Sequence, residues 1–388
     1  MEFIILTTSR TFDVVAKRQI VGGVQTYTRD LCLLSIAKGY KAIMFELDDV
    51  LLSAKGVFDG IEYHVINKQG KTNQYWFNQI YKEKNSSESI FVIATDQMDI
   101  KTDAKNVITI QHGIAFDCPI EEGFWSKTRI LQYTNKLMRS IKNVQRMNWS
   151  RNTVGVDYNY YNWYRTLGMI YPEKKFTVIP NYSSGCISED ALARKLSEYS
   201  AKKTRRVVFA RRFCSYRGTL IFANCVERLL PLYPDIEFTF AGDGELREEI
   251  EGRFKDNDRV HITSFEAPDS IEFHRQFDIA VVPTIFSEGT SLSLLEAMSA
   301  GCFPIATHVG GMTNIILDHY NGLLCYPDEE CVYRAMVEAI EMSDNTFKSM
   351  VNNAYRSATE AFSLKQWQKR WSDVIDDVFD KTKSRCDR

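Results

Sequence analysis

Two glutamates eight residues apart, Glu288 and Glu296, are well placed for binding a polar ligand. A strand is expected to end at Pro283. Glu288 and Gly289 then form a turn before a helix that opens near Thr290. Backbone N–H groups at a helix start bind anions such as a diphosphate, and carboxylates accept hydrogen bonds from the hydroxyl groups of a sugar or a ribose. The alternative is a helix with one capping glutamate and one surface glutamate.

His112 and a glycine pair are the next candidates. His112 ends an apolar strand just before Gly113, which directs its ring towards a ligand cleft, although a structural histidine at a strand end remains the alternative. Gly22 and Gly23 precede a predicted helix and permit close backbone approach to a phosphate. Taken alone, a glycine pair before a helix is a turn in most proteins.

The elements that position these residues alternate between short β-branched runs and longer amphipathic segments, which predicts βαβ units and parallel sheets. The expected strands are 2–8, 41–46, 90–95, 106–111, 152–156 and 176–180, then 206–210, 236–241, 259–263, 278–283 and 302–307. The expected helices are 22–38, 218–230, 244–254, 289–300 and 329–342. A polar stretch after Pro180 is interpreted as a linker.

Length and composition set outer limits on function. A chain of 388 residues with 44% hydrophobic residues suggests two globular domains, and a formal net charge of −2 argues against a generally basic nucleic-acid binder. The nine cysteines include no Cys-x-x-Cys pair, so neither a zinc site nor a disulfide framework is expected. No signal peptide and no apolar stretch of about 18 residues is recognised, and the expected location is cytoplasmic.

Several motifs together resemble those of the retaining GT-B glycosyltransferases of family 4, also described as glycosyl transferases group 1. The strongest is the E-x7-E segment SEGTSLSLLEAMSAG, which contains both glutamates. The others are VVFARRFCSYRG (207–218), FTFAGDGELREEIE (238–251), FTVIPN (176–181), the Gly22-Gly23 loop, ITIQHG (108–113) and a final helix beginning FSLKQWQKRW. The motifs follow the family order along nearly the whole chain.

The resemblance implies an α/β GT-B fold in which two Rossmann-like, doubly wound domains face a central cleft. Residues 1–182, joined by the C-terminal helix 364–388 crossing back, would form the acceptor domain, and residues 200–363 the nucleotide-sugar donor domain. It further implies a hexosyltransferase that requires no metal or cofactor and acts on a glycan acceptor. Because many bacterial relatives modify lipid-linked glycans in surface polysaccharide assembly, the same setting is expected here.

The resemblance also assigns roles. Arg212 and Arg217 would hold the donor diphosphate, Glu296 the ribose, and Glu288 with His112 the sugar. Further donor contacts are expected from backbone groups and glycines: Gly289, Thr290, Ser291, Leu292, Gly22, Gly23, Gly242 and Gly244. Arg211 stands where the family has glycine, which leaves open whether Arg211 or Arg212 points into the cleft.

A basic segment, residues 126–151, contains seven lysines and arginines and no acidic residue. Its apolar residues recur at helical spacing, which is typical of a helix lying on an anionic membrane surface. Lys136, Arg139 and Lys142 are the expected contacts with the membrane or acceptor. The alternative is a helix whose apolar face packs inward while its basic face is solvated.

Two other functions share this architecture. A GT-B nucleotide-sugar 2-epimerase would convert the donor without an acceptor, and a catalytically silent partner subunit would bind a nucleotide sugar without turnover. The chain lacks the acid–base pattern of the former, and retention of both glutamates and the arginine pair argues against the latter.

Overall fold

A computed structural model describes residues 1–13, 18–20, 22–114, 117, 127–167, 174–199, 204–286 and 288–383. The chain divides into two compact units, the first formed by 1–112, 119–179 and 368–388, and the second by 113–118 and 180–367. Residue 126 of the basic segment and residues 384–388 of the expected last helix lie outside the described residues. No helix in the described ranges is long and apolar enough to cross a membrane.

The first unit is built on an eight-stranded sheet and a two-stranded ribbon. Its strands are β1 (Glu2–Thr7), β2 (Phe12–Asp13), β3 (Arg18–Gln19), β4 (Lys41–Asp48), β5 (Ala54–Phe58), β6 (Ile61–Asn67), β7 (Ser89–Ile93), β8 (Val107–Gln111), β9 (Asn152–Gly155) and β10 (Lys175–Val178). Its helices are α1 (Gly23–Ala37), α2 (Asn73–Lys84), α3 (Arg129–Asn148) and α4 (Tyr158–Leu167), together with most of the chain's last helix.

The strand order of this sheet is β10-β9-β8-β7-β1-β4-β6-β5, and every pairing is parallel except the β5–β6 hairpin. The order reverses between β1 and β7, which is the position where doubly wound sheets bind ligands beyond the carboxyl ends of their strands. β1, β7 and β8 are buried along almost their entire length, as expected for central strands covered on both faces.

The second unit has a six-stranded, fully parallel sheet. Its strands are β11 (Arg205–Ala210), β12 (Ile236–Ala241), β13 (Val260–Thr263), β14 (Ile279–Val282), β15 (Phe303–Thr307) and β16 (Leu323–Cys325). Its helices are α5 (Glu189–Tyr199), α6 (Thr219–Leu229), α7 (Arg247–Phe254), α8 (Ser270–Arg275), α9 (Leu292–Ser299), α10 (Glu329–Glu341) and α11 (Asp344–Arg356). The order β13-β12-β11-β14-β15-β16 reverses between β11 and β14.

The last helix, α12 (Leu364–Lys383), belongs to the first unit from Gln368 onward. Within that unit, Trp371 is fully buried and its indole N–H donates to the Tyr27 hydroxyl at 2.8 Å. Helix α12 therefore packs against α1, although the two helices are far apart in the sequence.

Helix α3 does not pack its apolar face inward, as the packed-helix alternative would require. Its buried positions are Asn135, Ser140, Asn143 and Met147, which are mostly polar. The apolar residues Ile130, Tyr133 and Leu137 are exposed instead. Of the three expected membrane or acceptor contacts, only Lys142 is exposed, while Lys136 and Arg139 are half-buried.

Candidate functional site

The charged side chains of the second unit meet where its strand order reverses. Arg211 directly follows β11, and Thr284 and Glu288 follow β14, the neighbouring strand. The carboxyl ends of parallel strands share one sheet edge, so the topology itself brings these residues together. The sequence motif identified Glu288 and left the choice of its partner open between Arg211 and Arg212.

Glu288 is the centre of a hydrogen-bonded cluster. Its Oε2 accepts from Arg211 Nη2 at 2.7 Å and from the Thr284 hydroxyl at 3.2 Å, and Arg217 Nη1 donates to the same oxygen. Arg211 Nη1 also donates to Thr284 Oγ1 at 2.7 Å. The side chains of Arg211 and Glu288 are only 8% and 9% exposed, whereas Arg217 is 23% exposed. Two guanidinium groups therefore converge on one shielded carboxylate, with Arg217 the more accessible to solvent.

Burial and charge act in opposite directions on Arg211. Burial lowers the pKa of its guanidinium, while the neighbouring Glu288 carboxylate raises it. Arginine remains protonated under such conditions because its unperturbed pKa is so high. The cluster therefore contains two positive charges and one negative charge, and a bound anion would neutralise the remaining positive charge.

Close backbone contacts fix the loops that carry this cluster. A Cβ on Gly218 would lie 1.9 Å from the Pro283 carbonyl oxygen, and the Ile285 N–H donates to the Tyr216 carbonyl at 2.9 Å. A Cβ on Gly310 would lie 1.7 Å from the Glu288 carbonyl oxygen. Only glycine fits at these two positions, so the loop bearing Arg217 and the turn bearing Glu288 are held in place by backbone packing.

The two adjacent arginines, between which the sequence left the choice open, have different surroundings in the structure. Arg212 is exposed, whereas Arg211 is the residue directed at Glu288. The intervening turn is held by the Gly242–Gly244 segment, since a Cβ on Gly242 or Gly244 would lie 2.0 Å from the Arg211 oxygen or 2.4 Å from the Phe213 oxygen. These two glycines therefore position the arginine loop.

Glu296 lies on α9, where its side chain is half-buried. Its Oε2 accepts from the Ser270 hydroxyl at 2.6 Å. Burial raises the pKa of Glu296 to about 7, although the Ser270 hydrogen bond and the Arg211 charge oppose the shift. Glu296 is therefore a half-buried, hydrogen-bonded carboxyl group and differs in this from the surface glutamate of the alternative interpretation.

The turn before α9 is also shielded from solvent. The helix begins at Leu292, two residues later than expected, and Thr290 and Ser291 just before it are only 1% exposed. Asn181 Nδ2 donates to the Thr290 carbonyl at 2.7 Å, which holds this turn, and Gly289 is half-buried. The first N–H groups of α9 have no acceptor within the helix and suit an anion.

In the first unit, His112 follows β8 and its Nε2 donates to the Ala94 carbonyl, just after β7, at 2.8 Å. Burial lowers the pKa of His112 to about 4, so the ring is neutral at pH 7 and Nδ1 is left as an acceptor. The Tyr27 ring packs edge-on against it, with centroids 5.2 Å apart. His112 is therefore a fixed, uncharged hydrogen-bonding group.

The predicted glycine loop lies at the start of α1. Gly22 is its N-cap residue with an extended φ of 175°, and a Cβ there would meet only the mobile end of the Gln25 side chain. Gly23 is exposed in the first turn. No steric demand for glycine is evident at Gly22, so its proposed role in phosphate contact stays a prediction.

Two buried carboxyl groups at the sheet edge of the first unit were missed by sequence reasoning. Glu46, near the end of β4, is fully buried, and among the described residues no hydrogen bond of good geometry reaches either of its carboxyl oxygens. Burial raises its pKa to about 7. Asp157, just after β9, accepts from the Tyr160 N–H at 2.7 Å, and burial raises its pKa to about 6. Both residues lie at or just after the end of a strand, and this position could have identified them as candidate site residues.

The acidic and thiol side chains of the chain are the remaining possible metal ligands. In the part of the chain that the structure describes, no group of three or more His, Cys, Asp or Glu side chains is arranged to hold a metal ion. The arginine cluster in the second unit is therefore the clearest described candidate for anion binding.

Comparison with known sequences supports this interpretation of the second unit. Residues 204–342 match the family model described as "Glycosyl transferases group 1". An uncharacterised glycosyltransferase of Methanocaldococcus jannaschii is 36% identical over 119 residues, covering 29% of this chain and 33% of that protein. An α-1,4-N-acetyl-D-galactosaminyltransferase of Campylobacter jejuni, named for an undecaprenol-linked substrate, is 24% identical over 181 residues, covering 46% and 50%. The chain thus spans about a third to a half of the length of these relatives.

Solved structures extend the likeness to both units. The Anabaena protein HepE in complex with UDP matches with a TM-score of 0.67 and 16% identity, covering 97% of this chain and all of that one. A sucrose-phosphate synthase from Thermosynechococcus elongatus matches with a TM-score of 0.76 and 13% identity, covering 98% and 100%. The chain has the GT-B type of fold, and its second unit matches the glycosyl transferases group 1 family.

Proposed function

We propose that the protein transfers a hexosyl group from a nucleoside diphosphate sugar to a glycan acceptor. The observation that carries this proposal is the convergence of Arg211 and Arg217 on Glu288 at the strand-order reversal of the second unit. The match of residues 204–342 to a glycosyltransferase family supports it. UDP is the first nucleotide to test, because HepE was solved with UDP.

In this proposal the arginine pair binds the diphosphate. Arg211 already donates to Thr284 and Glu288, and a guanidinium has five N–H donors, which leaves capacity for phosphate oxygens. As the glycosidic bond breaks, negative charge develops on the leaving diphosphate, and fixed cations together with the α9 N–H groups stabilise it. The same arrangement would make a metal ion unnecessary.

Glu288 and Glu296 take different roles. Glu288 keeps the guanidinium groups aligned and accepts a hydrogen bond from a donor-sugar hydroxyl, while Glu296 accepts from the ribose. Retention of anomeric configuration follows from the family resemblance. A carboxylate already bound by two guanidinium groups is a poor nucleophile, which favours same-face transfer assisted by the leaving phosphate over a covalent intermediate.

The acceptor is proposed to be a lipid-linked glycan of the kind used in bacterial surface polysaccharide synthesis. Support comes from the Campylobacter relative, whose name specifies an undecaprenol-linked substrate. His112 is the candidate for contact with the transferred sugar, through a neutral ring nitrogen.

The test is a thermal-shift screen with UDP, GDP, CDP and dTDP sugars, followed by transfer assays with lipid-linked acceptors. Glu288→Gln is expected to lower transfer by about 100-fold or more, as for loss of a transition-state contact, with nucleotide affinity retained. Glu272→Gln, at an exposed carboxylate paired with Arg275, is the matched control and should leave both unchanged.

Three outcomes would contradict the proposal. Unchanged transfer by Glu288→Gln would mean that the transfer step does not depend on the Glu288 carboxylate. Conversion of the donor sugar without any acceptor would identify an epimerase. Nucleotide-sugar binding without turnover, across the panel of acceptors, would favour a silent partner subunit.

A further inference from the structure

We propose that the outer face of α3 docks on an anionic lipid bilayer. This face carries Ile130, Tyr133, Leu137 and Ile141, which are 78%, 71%, 49% and 51% exposed. Their spacing of three, four and four residues places them on one side of the helix. Met138, 44% exposed, widens the same stripe. We call these five residues the α3 stripe.

The polar side of α3 packs against the first unit, and the α3 stripe on its other side is exposed to solvent. The inward side of α3 holds Asn135 and Asn143, and Asn143 accepts from the Tyr160 hydroxyl and donates to Asp96 at 3.1 Å. Arg146, on the same side, pairs with Asp99. These polar contacts anchor the helix, so its apolar side is directed outward. The α3 stripe runs from Ile130 to Ile141 and therefore extends over about 16 Å of this 20-residue helix.

The basic residues beside the α3 stripe favour an anionic lipid surface as its binding partner. Arg129 and Lys142 are exposed and border the α3 stripe on its two sides, and no acidic residue occurs in α3. Apolar side chains that enter the acyl boundary while basic residues remain at the headgroups are typical of interfacial helices on anionic lipids. Residues 1–181 also contain 23 basic against 18 acidic residues.

A second copy of the chain fits the same face less well. A two-fold contact through α3 would place Arg129 and Lys142 of one copy beside those of the other. Helix α3 itself has no carboxylate to neutralise them, and Asp99, whose carboxylate lies 3.9 Å from Lys142 Nζ, already pairs with Arg146 of the same copy. Juxtaposed like charges oppose such pairing. The inference rests on the geometry of α3 and does not require the proposed transfer activity.

The experiment measures co-sedimentation of the full chain with vesicles of phosphatidylglycerol and phosphatidylcholine in roughly equal parts, and with phosphatidylcholine alone. Binding is expected to the anionic vesicles and to weaken at high salt. Leu137→Glu and Ile141→Glu should each lower partitioning about 10-fold or more, since each replaces an apolar side chain that would enter the bilayer by a carboxylate that anionic lipid repels. Lys142→Glu should lower it about fivefold.

Matched controls separate the α3 stripe from general effects. Leu232→Glu changes a leucine that is 59% exposed in the second unit, and Lys55→Glu reverses an exposed charge on β5. Both should bind vesicles as the unchanged chain does, and all variants should keep its melting temperature because the positions are exposed. Absence of vesicle binding by the unchanged chain, or equal loss in the controls, would overturn the proposal. So would a dimer that Ile141→Glu converts to monomer without any vesicle binding.

Discussion

The carboxyl edges of the two sheets differ in how their ionisable groups are balanced. In the second unit, the Glu288 carboxylate is bound directly by two guanidinium groups. In the first unit, no cation of the described residues lies within hydrogen-bonding distance of Glu46, Asp157 or His112, and burial shifts the pKa of each towards its neutral form. Similar sheet topology therefore supports two electrostatic environments.

The difference indicates which ligand chemistry each edge suits. Fixed cations bind phosphate groups, whose charge they neutralise. Neutral, buried donors and acceptors suit sugar hydroxyls, which carry no charge but require hydrogen-bond partners. Glu296 combines features of both edges, since it lies in the second unit with the arginine cluster but its pKa is raised by burial.

The largest effect is expected from breaking the charged cluster. Arg211→Ala removes one partner of a buried ion pair, which costs about 3–5 kcal/mol in comparable cases, and should also weaken nucleotide binding. Denaturant unfolding and nucleotide titration measure the two effects. Arg212→Ala is the matched control and should change stability by less than about 0.5 kcal/mol, because Arg212 is exposed. An equal loss in both variants would mean that the charged edge is not organised by Arg211.

The next effect concerns the backbone that holds the cluster. Gly310→Ala places a Cβ 1.7 Å from the Glu288 carbonyl oxygen, so the turn must shift, at a cost of about 2–4 kcal/mol. Gly252→Ala in α7 meets no atom within 4 Å and should instead stabilise the protein by about 0.5–1 kcal/mol. Unfolding midpoints give both values. Tolerance of alanine at Gly310 would show that the turn is loosely held.

A smaller, pH-dependent effect is expected at the neutral edge. The folded-state pKa of Glu46, about 7, lies above its ordinary value, so the unfolded chain loses this proton first as pH rises. Protonated Glu46 therefore contributes to the free energy of unfolding at low pH. This contribution decreases as the pH rises and is lost above about pH 7. Glu46→Gln should reduce the fall in unfolding free energy between about pH 5 and about pH 8 by about 2 kcal/mol.

Glu62 provides the control for this measurement. Its pKa is lowered to about 2 by hydrogen bonds from Lys41 and His64, so its contribution to stability is lost only as pH falls below the ordinary range. Glu62→Gln should therefore leave the slope between about pH 5 and about pH 8 nearly unchanged. A slope equally altered by both variants would contradict the buried, neutral state of Glu46.

The smallest effect is spectroscopic. The pKa of His112 is lowered to about 4 by burial, whereas Asp318 and Glu338 raise the pKa of the exposed His319. NMR of histidine-labelled protein should show His319 titrating above its ordinary value and His112 remaining neutral down to about pH 5. Because the folded state binds the His112 proton less readily, its contribution to stability is lost as pH falls towards about 4. Titration of His112 near its ordinary value would contradict the uncharged edge.

Much of the fold followed from hydrophobic periodicity, because the buried parallel strands form short continuous apolar runs. The β5–β6 hairpin was missed, although Asp59-Gly60, both with positive φ, is a recognisable two-residue turn signal. Helix α2 and strand β16 were also missed. These elements are short or only partly buried, so the apolar pattern that marks them is weak.

The sequence identified both glutamates but not the arrangement of the side chains around them. The choice between Arg211 and Arg212 depends on how the chain turns after β11, and that turn is set by contacts with the distant Gly242–Gly244 segment. The orientation of α3 also could not be predicted, since periodicity defines two faces but not which one packs inward. Polar partners such as Asp96, distant in sequence, decide that.

The contact between Trp371 and Tyr27 has a consequence for how the protein is made. The two residues are separated by more than 340 positions, yet both lie in the first unit. During synthesis from the N-terminus, α1 is therefore exposed on the ribosome long before α12 exists to cover the Tyr27 hydroxyl. The second unit is almost continuous in sequence, so it can complete its core while the first is still waiting for its last helix. The packing of the first unit therefore cannot be completed until α12 has been translated.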